Sequence, residues 1–168
     1  MARDRGKQFE EKLKKDWEKS LPSSFILRIP DQVSMYKNTS ENICDFMMYN
    51  EPKLFLVEAK TVEGNTFSIQ TESKEISGKM TPFRQYNKLL KYKNYNGVFP
   101  GVMIWFQKHD KVVWVPINSI EKMINDGKKS INIKMLKEND YFILDIPSVK
   151  KRVFLDSDYS VMMSLRKD

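Results

Sequence analysis

The chain has 168 residues, 40% of them hydrophobic and 30% charged, and a formal net charge of +7. This suits one soluble globular domain with a sizeable core, and no apolar run is long enough to span a bilayer. A single cysteine excludes an internal disulfide and, with a single histidine, argues against a His/Cys zinc centre.

Residues 4–20 have the period of an amphipathic helix, with Asp4 as N-cap and Pro22 beyond its end. Phe9, Leu13 and Trp17 form the apolar stripe. Glu10 falls on that stripe and Glu11 on the opposite face. Glu10 therefore aims inward, or sits at the stripe's edge and reaches water. Phe25 to Ile29 is a short strand ended by Pro30. Asp31 to Asn42 is polar and is expected to be a short protrusion. Phe46-Met47-Met48-Tyr49 and Leu54-Phe55-Leu56-Val57 flank Asn50-Glu51-Pro52-Lys53, a turn by composition, so a hairpin is expected over residues 43–60. Thr61 to Met80 is expected to be a long loop. Thr81-Pro82 then opens a helix, with Tyr86, Leu89 and Leu90 inside and Gln85 able to face inward. Val102 to Phe106 is nearly continuous apolar, as in a strand covered on both faces. Lys108 to Lys111 turns it back into Val112 to Val115. Trp105 and Trp114 belong to the core. Ser119 caps a short helix, Ile120 to Asn125, closed at Gly127. Ile131 to Leu136, Tyr141 to Ile146 and Val153 to Leu155 are short strands or irregular covers. The order predicts an α/β fold, a mixed β-sheet core flanked by helices, in a single domain.

Basic residues gather at Lys12-Lys14-Lys15, Lys88-Lys91-Lys93, Lys128-Lys129 and Lys150-Lys151-Arg152. They suit a polyanion such as DNA or RNA, the plainer alternative being a solvated lysine surface. The N-terminus has no signal-peptide core, and the cysteine usage fits a reducing cytoplasm.

The central hairpin carries the chemistry. Centred between Glu51 and Pro52, its paired residue numbers sum to 103, which sets Asp45 opposite Glu58 on one face, with Lys60 two residues on. Three charges at the end of an apolar hairpin are costly unless something binds there. Asp45 and Glu58 supply hard oxygen ligands for Mg²⁺, with Mn²⁺ as a substitute, and the Ala59 carbonyl lies between them. Lys60 is placed to orient or deprotonate an attacking water, and Glu10 to add a contact. These are the parts of metal-assisted phosphodiester hydrolysis. The alternative is a plain cross-strand ion pair in a non-catalytic basic DNA-binding module.

Asp45 … Glu58-Ala59-Lys60 resembles the PD-(D/E)xK nuclease motif. Arg5-Gly6-Lys7-Gln8-Phe9-Glu10, Asp45, Glu58-Ala59-Lys60-Thr61, Arg84-Gln85 and Gly127-Lys128-Lys129-Ser130-Ile131 resemble, in order, segments of the RecU group of Holliday-junction resolvases. The resemblance implies a restriction-endonuclease-like fold. It also implies a homodimeric, Mg²⁺-dependent endonuclease that cuts four-way DNA junctions in recombination and repair, in a bacterial or phage-infected cytoplasm. Asp45 and Glu58 would hold metal, Lys60 would serve the nucleophile, and Glu10 and Gln85 would complete the site. Arg5, Lys7, Arg84, Lys128 and Lys129 would contact DNA. Three features depart from the family. The segment before Asp45 is shorter than its junction-engaging stalk, Arg84 stands in place of a histidine, and Thr61–Met80 is longer. A PD-(D/E)xK enzyme acting on duplex or flapped DNA is the nearest rival.

Overall fold

The computed structural model describes residues 4–30, 42–72, 78–152 and 154–167. Most of the expected protrusion, and Val153, lie outside the described residues. Helix α1 (Arg5–Ser20) starts at Asp4, whose carboxylate accepts from the Gly6 N–H. It buries Phe9, Leu13 and Trp17, the stripe its spacing predicts. Strands β1 (Phe25–Arg28), β2 (Phe46–Asn50) and β3 (Lys53–Val62) follow. Phe46↔Val57 through Asn50↔Lys53 are cross-strand partners, so the expected register holds over the whole β2–β3 ladder.

Thr61–Met80 is not one long loop. β3 runs on to Val62, and β4 (Thr66–Ser68) and β5 (Gln70–Glu72) follow it. β5 pairs with β6 (Met80–Pro82). Thr81 and Pro82 are therefore strand residues, and α2 (Tyr86–Leu90) starts later than expected. Three-residue strands are too short to show a period, which is why turn-like composition hid them. β7 (Val98–Phe106) and β8 (Lys111–Pro116) form the second hairpin. Helix α3 (Ile117–Asn125) begins three residues before the expected start, so Ser119 is its third residue and not its cap. The proline ends the strand with a φ already suited to helix entry. β9 (Ser130–Asn132) pairs with β4, β10 (Leu144–Ile146) with β8, and β11 (Ser148–Lys150) with β12 (Leu155–Ser157).

The main sheet has the order β1-β2-β3-β7-β8-β10, parallel only between β3 and β7. Alternation along β3 and β7 divides the core. Phe55, Val57, Met103 and Trp105 pack with α1, and Leu56, Val102 and Ile104 pack with residues of α2 and α3. Trp114 is fully buried and meets Phe55 edge-on at 5.9 Å, a core role as expected. Gly101 is the tight point of the β7–β8 contact, where a Cβ would lie 2.5 Å from the Val115 carbonyl oxygen. Among the described residues no helix is long and apolar enough to cross a membrane.

Candidate active site

β3 is ten residues long and β2 is five, so β3 runs past the end of its partner. The ladder ends at Phe46↔Val57. Glu58, Ala59 and Lys60 continue on β3 with β7 on one side only. Asp45 stands at a bend just before β2, so it is not the flat cross-strand partner of Glu58 that alternation alone expects. Its N–H donates to the Val57 carbonyl at 3.0 Å, and its Oδ2 accepts from the Ala59 N–H at 2.8 Å. The carboxylate thus takes the ladder bond that β2 would have supplied. A strand residue sends both backbone groups to the same neighbour, so the Ala59 carbonyl also faces the side on which β2 has ended.

Glu58 is 1% exposed. Its Oε1 accepts from Lys60 Nζ at 2.6 Å, and its Oε2 is buried without a hydrogen-bond partner. Burial pushes the Glu58 carboxyl up to about 7; Lys60 opposes the shift and Asp45 adds to it. Burial also raises the Asp45 carboxyl, against the Ala59 N–H and the charges of Lys60 and Arg28, while Glu10 adds to the rise. Asp45 therefore senses residues from both sides. Glu58 and Lys60 leave β3 toward the α2–α3 face, and Glu10 arrives on α1 from the other.

Glu10 is half-buried, and Arg28 Nε donates to its Oε2 at 2.7 Å. Arg28 belongs to β1 and is paired with Phe46, next to Asp45. Sequence reasoning missed Arg28. Its strand is four residues long, and its partner lies on a helix 18 residues earlier. Cys44 is buried in the opposite cluster, and burial pushes its thiol up to about 12.

The other expected residues lie on the first turns of α1, at the start of α2 and between α3 and β9. Gln85 is at the N-cap of α2 without a side-chain capping bond, and no hydrogen bond joins it to the carboxylates. Arg84 beside it is exposed. Arg5 and Lys7 lie exposed on the first turns of α1, and Lys7 lines an open groove of about 490 Å³ with Gln8, Lys12 and Lys15. Lys128 and Lys129 are exposed between α3 and β9.

The donor set fits a hard divalent cation. It offers the unpartnered Glu58 oxygen, the Asp45 carboxylate and a backbone carbonyl, all oxygen. Among the described residues no group of three His, Cys, Asp or Glu side chains could cage a metal alone. An ion here would complete its shell with water or a ligand's oxygens, as Mg²⁺ does.

No protein-family model matches the chain, and no curated protein does. Among solved structures, Hjc, a Holliday junction resolvase from the archaeal hyperthermophile Archaeoglobus fulgidus, matches with a TM-score of 0.51 and 15% sequence identity. The match covers 76% of this chain and 88% of that one. The chain has the fold of that resolvase. Its central mixed sheet and flanking helices are the restriction-endonuclease-like arrangement. At this identity the likeness carries the fold alone.

Proposed function

We propose that the protein is a metal-dependent endodeoxyribonuclease acting on branched DNA, with four-way junctions as the preferred substrate. The observation that carries the reading is the Glu58 carboxylate: buried, with one oxygen on Lys60 and the other unpartnered, at the end of a strand that outruns its neighbour. The resolvase fold supports it, as does the net charge of +7. The RecU-like order of Arg5-Gly6, Glu10, Asp45 and Glu58-Ala59-Lys60 supports the finer assignment.

Asp45, Glu58 and the Ala59 carbonyl would hold Mg²⁺ or Mn²⁺, which supplies a Lewis acid for the scissile phosphate and a more acidic water. The Ala59 N–H fixes the Asp45 carboxylate, and Arg28 fixes Glu10. Lys60, held by Glu58, is positioned to orient the attacking water or to bind a phosphate oxygen. Two copies related by a two-fold would address the two scissile phosphates of a junction. The exposed Phe25 and Leu27 on edge strand β1 offer an apolar patch for such pairing.

The test compares cleavage of a mobile four-way junction with cleavage of its matching linear duplex in Mg²⁺. Faster cleavage of the junction, lost in Asp45→Asn, is expected. Equal rates on both substrates would favour a general PD-(D/E)xK nuclease, and cleavage surviving in Asp45→Asn would overturn the site.

A further inference from the structure

A separate cleft lies toward the other end of the sheet. A cleft of about 490 Å³ opens beside Phe99 and Pro100 on β7 and the N-terminus of α3. Pro100 is paired with Leu56 on β3, whereas Lys60 is paired with Ile104. The cleft is therefore about 13 Å along the strands from the level of Lys60.

Ile117, Asn118 and Ser119 are the first helical residues of α3, so their N–H groups have no acceptor within the helix. Pro116 supplies no capping side chain, and among the described residues no turn or loop bond uses these amides. Ser119 is 8% exposed and lines the cleft. Its hydroxyl makes no hydrogen bond to any described residue. A cleft-facing hydroxyl on an otherwise buried serine and three unused amides at the positive end of a helix are the donors an anion would use.

The rim is cationic. Lys167 Nζ donates to the Lys93 carbonyl at 2.8 Å and to the Tyr95 carbonyl, which holds its charge at the cleft. Lys93 is already balanced by Glu121, both of whose oxygens are 2.7 Å away. Arg166 adds an exposed guanidinium. Leu144 and Phe142, the latter 53% exposed, also line the cleft and give it apolar surface. An aromatic face left in water beside an anion socket matches a base joined to a phosphate.

We propose that this cleft binds a nucleoside-linked phosphate, with the phosphate on the α3 amides and the Ser119 hydroxyl, and the base against Phe142. The ligand is either a free nucleotide or the 5′-phosphorylated end of a DNA strand. Amide spectra of the full chain, titrated with dTMP, thymidine, and a short oligothymidylate with and without its 5′-phosphate, test the site. Saturable shifts at Ile117, Asn118 and Ser119 are expected with dTMP and are not expected with thymidine. Ser119→Ala weakens binding about tenfold through loss of one hydrogen bond to a charged group. Asn118→Glu abolishes it, because a carboxylate at this position suits the helix but occupies the socket. Both variants should keep the wild-type unfolding midpoint or exceed it. Tighter binding of the 5′-phosphorylated strand than of dTMP identifies a strand end, and the reverse identifies a nucleotide. Shifts that do not saturate, shifts spread over the lysine surface, or equal dTMP affinity in wild type and Ser119→Ala would overturn the proposal.

Discussion

Removing the charge of Glu58 should stabilise the metal-free protein at alkaline pH. The folded state holds this carboxyl at about 7, against an ordinary value of 4.5. The folded protein therefore binds the proton more tightly than the unfolded chain does. The associated stability is fully present below pH 4.5 and is lost as pH rises through about 7. The full difference is about 3 kcal/mol, most of which falls between pH 5 and pH 8. The raised Asp45 carboxyl acts in the same direction. Asp156 and Asp158 have lowered values and lose their contribution only in more acidic solution. Urea unfolding at pH 5 and pH 8 in chelator should show the fall in wild type, and a much flatter profile in Glu58→Gln. Lys60 is a third exposed and can return to water when its partner is neutral. Adding Mg²⁺ at ten times its Kd should restore about 1.4 kcal/mol to wild type at pH 8 and nothing to the variant. Parallel pH profiles for the two proteins would refute the reasoning, because the unpartnered oxygen would then carry no cost.

Asp45→Asn keeps an oxygen for the Ala59 N–H and should fold like wild type while losing Mg²⁺-dependent cleavage. Asp45→Ala leaves that amide unpaired and should cost about 1–3 kcal/mol as well, read by urea unfolding. Arg28→Ala should lower junction cleavage by about 10–100-fold through loss of Glu10 positioning, with partial recovery in Arg28→Lys. Gly101→Ala should cost about 1–3 kcal/mol by thermal melt, since its Cβ would meet Val115 backbone and the Trp114 ring at 2.5 and 2.6 Å. Leu27→Glu should shift sedimentation toward monomer if β1 pairs two copies, and leave the unfolding midpoint unchanged because Leu27 is 55% exposed.

The sequence carried those parts of the fold in which one interaction dominates. The β2–β3 register follows from two apolar runs and a turn, and the α1 stripe from a single period. Parts fixed by contacts between distant segments were hidden. β4 finds β9 more than sixty residues away, and Arg28 reaches Glu10 across the β1–α1 gap. The early start of α3 depends on the proline that ends β8, three residues before the serine that composition alone marks as a cap.

The bend at Asp45 sets the geometry of the charged hairpin end. Asp45 stays beside Glu58, where its charge adds to the cost of ionising that buried carboxylate and Lys60 offsets it. Stopping β2 at Phe46 turns Asp45 onto the Ala59 N–H and opens the overhang to the α1 side, where Glu10 and Arg28 stand. The strand-length mismatch thus removes one backbone ladder bond and replaces it with a carboxylate bond. In doing so it converts a sheet interior into an edge that presents oxygen ligands. The remaining unbalanced atom, Glu58 Oε2, is the one that a bound cation would satisfy.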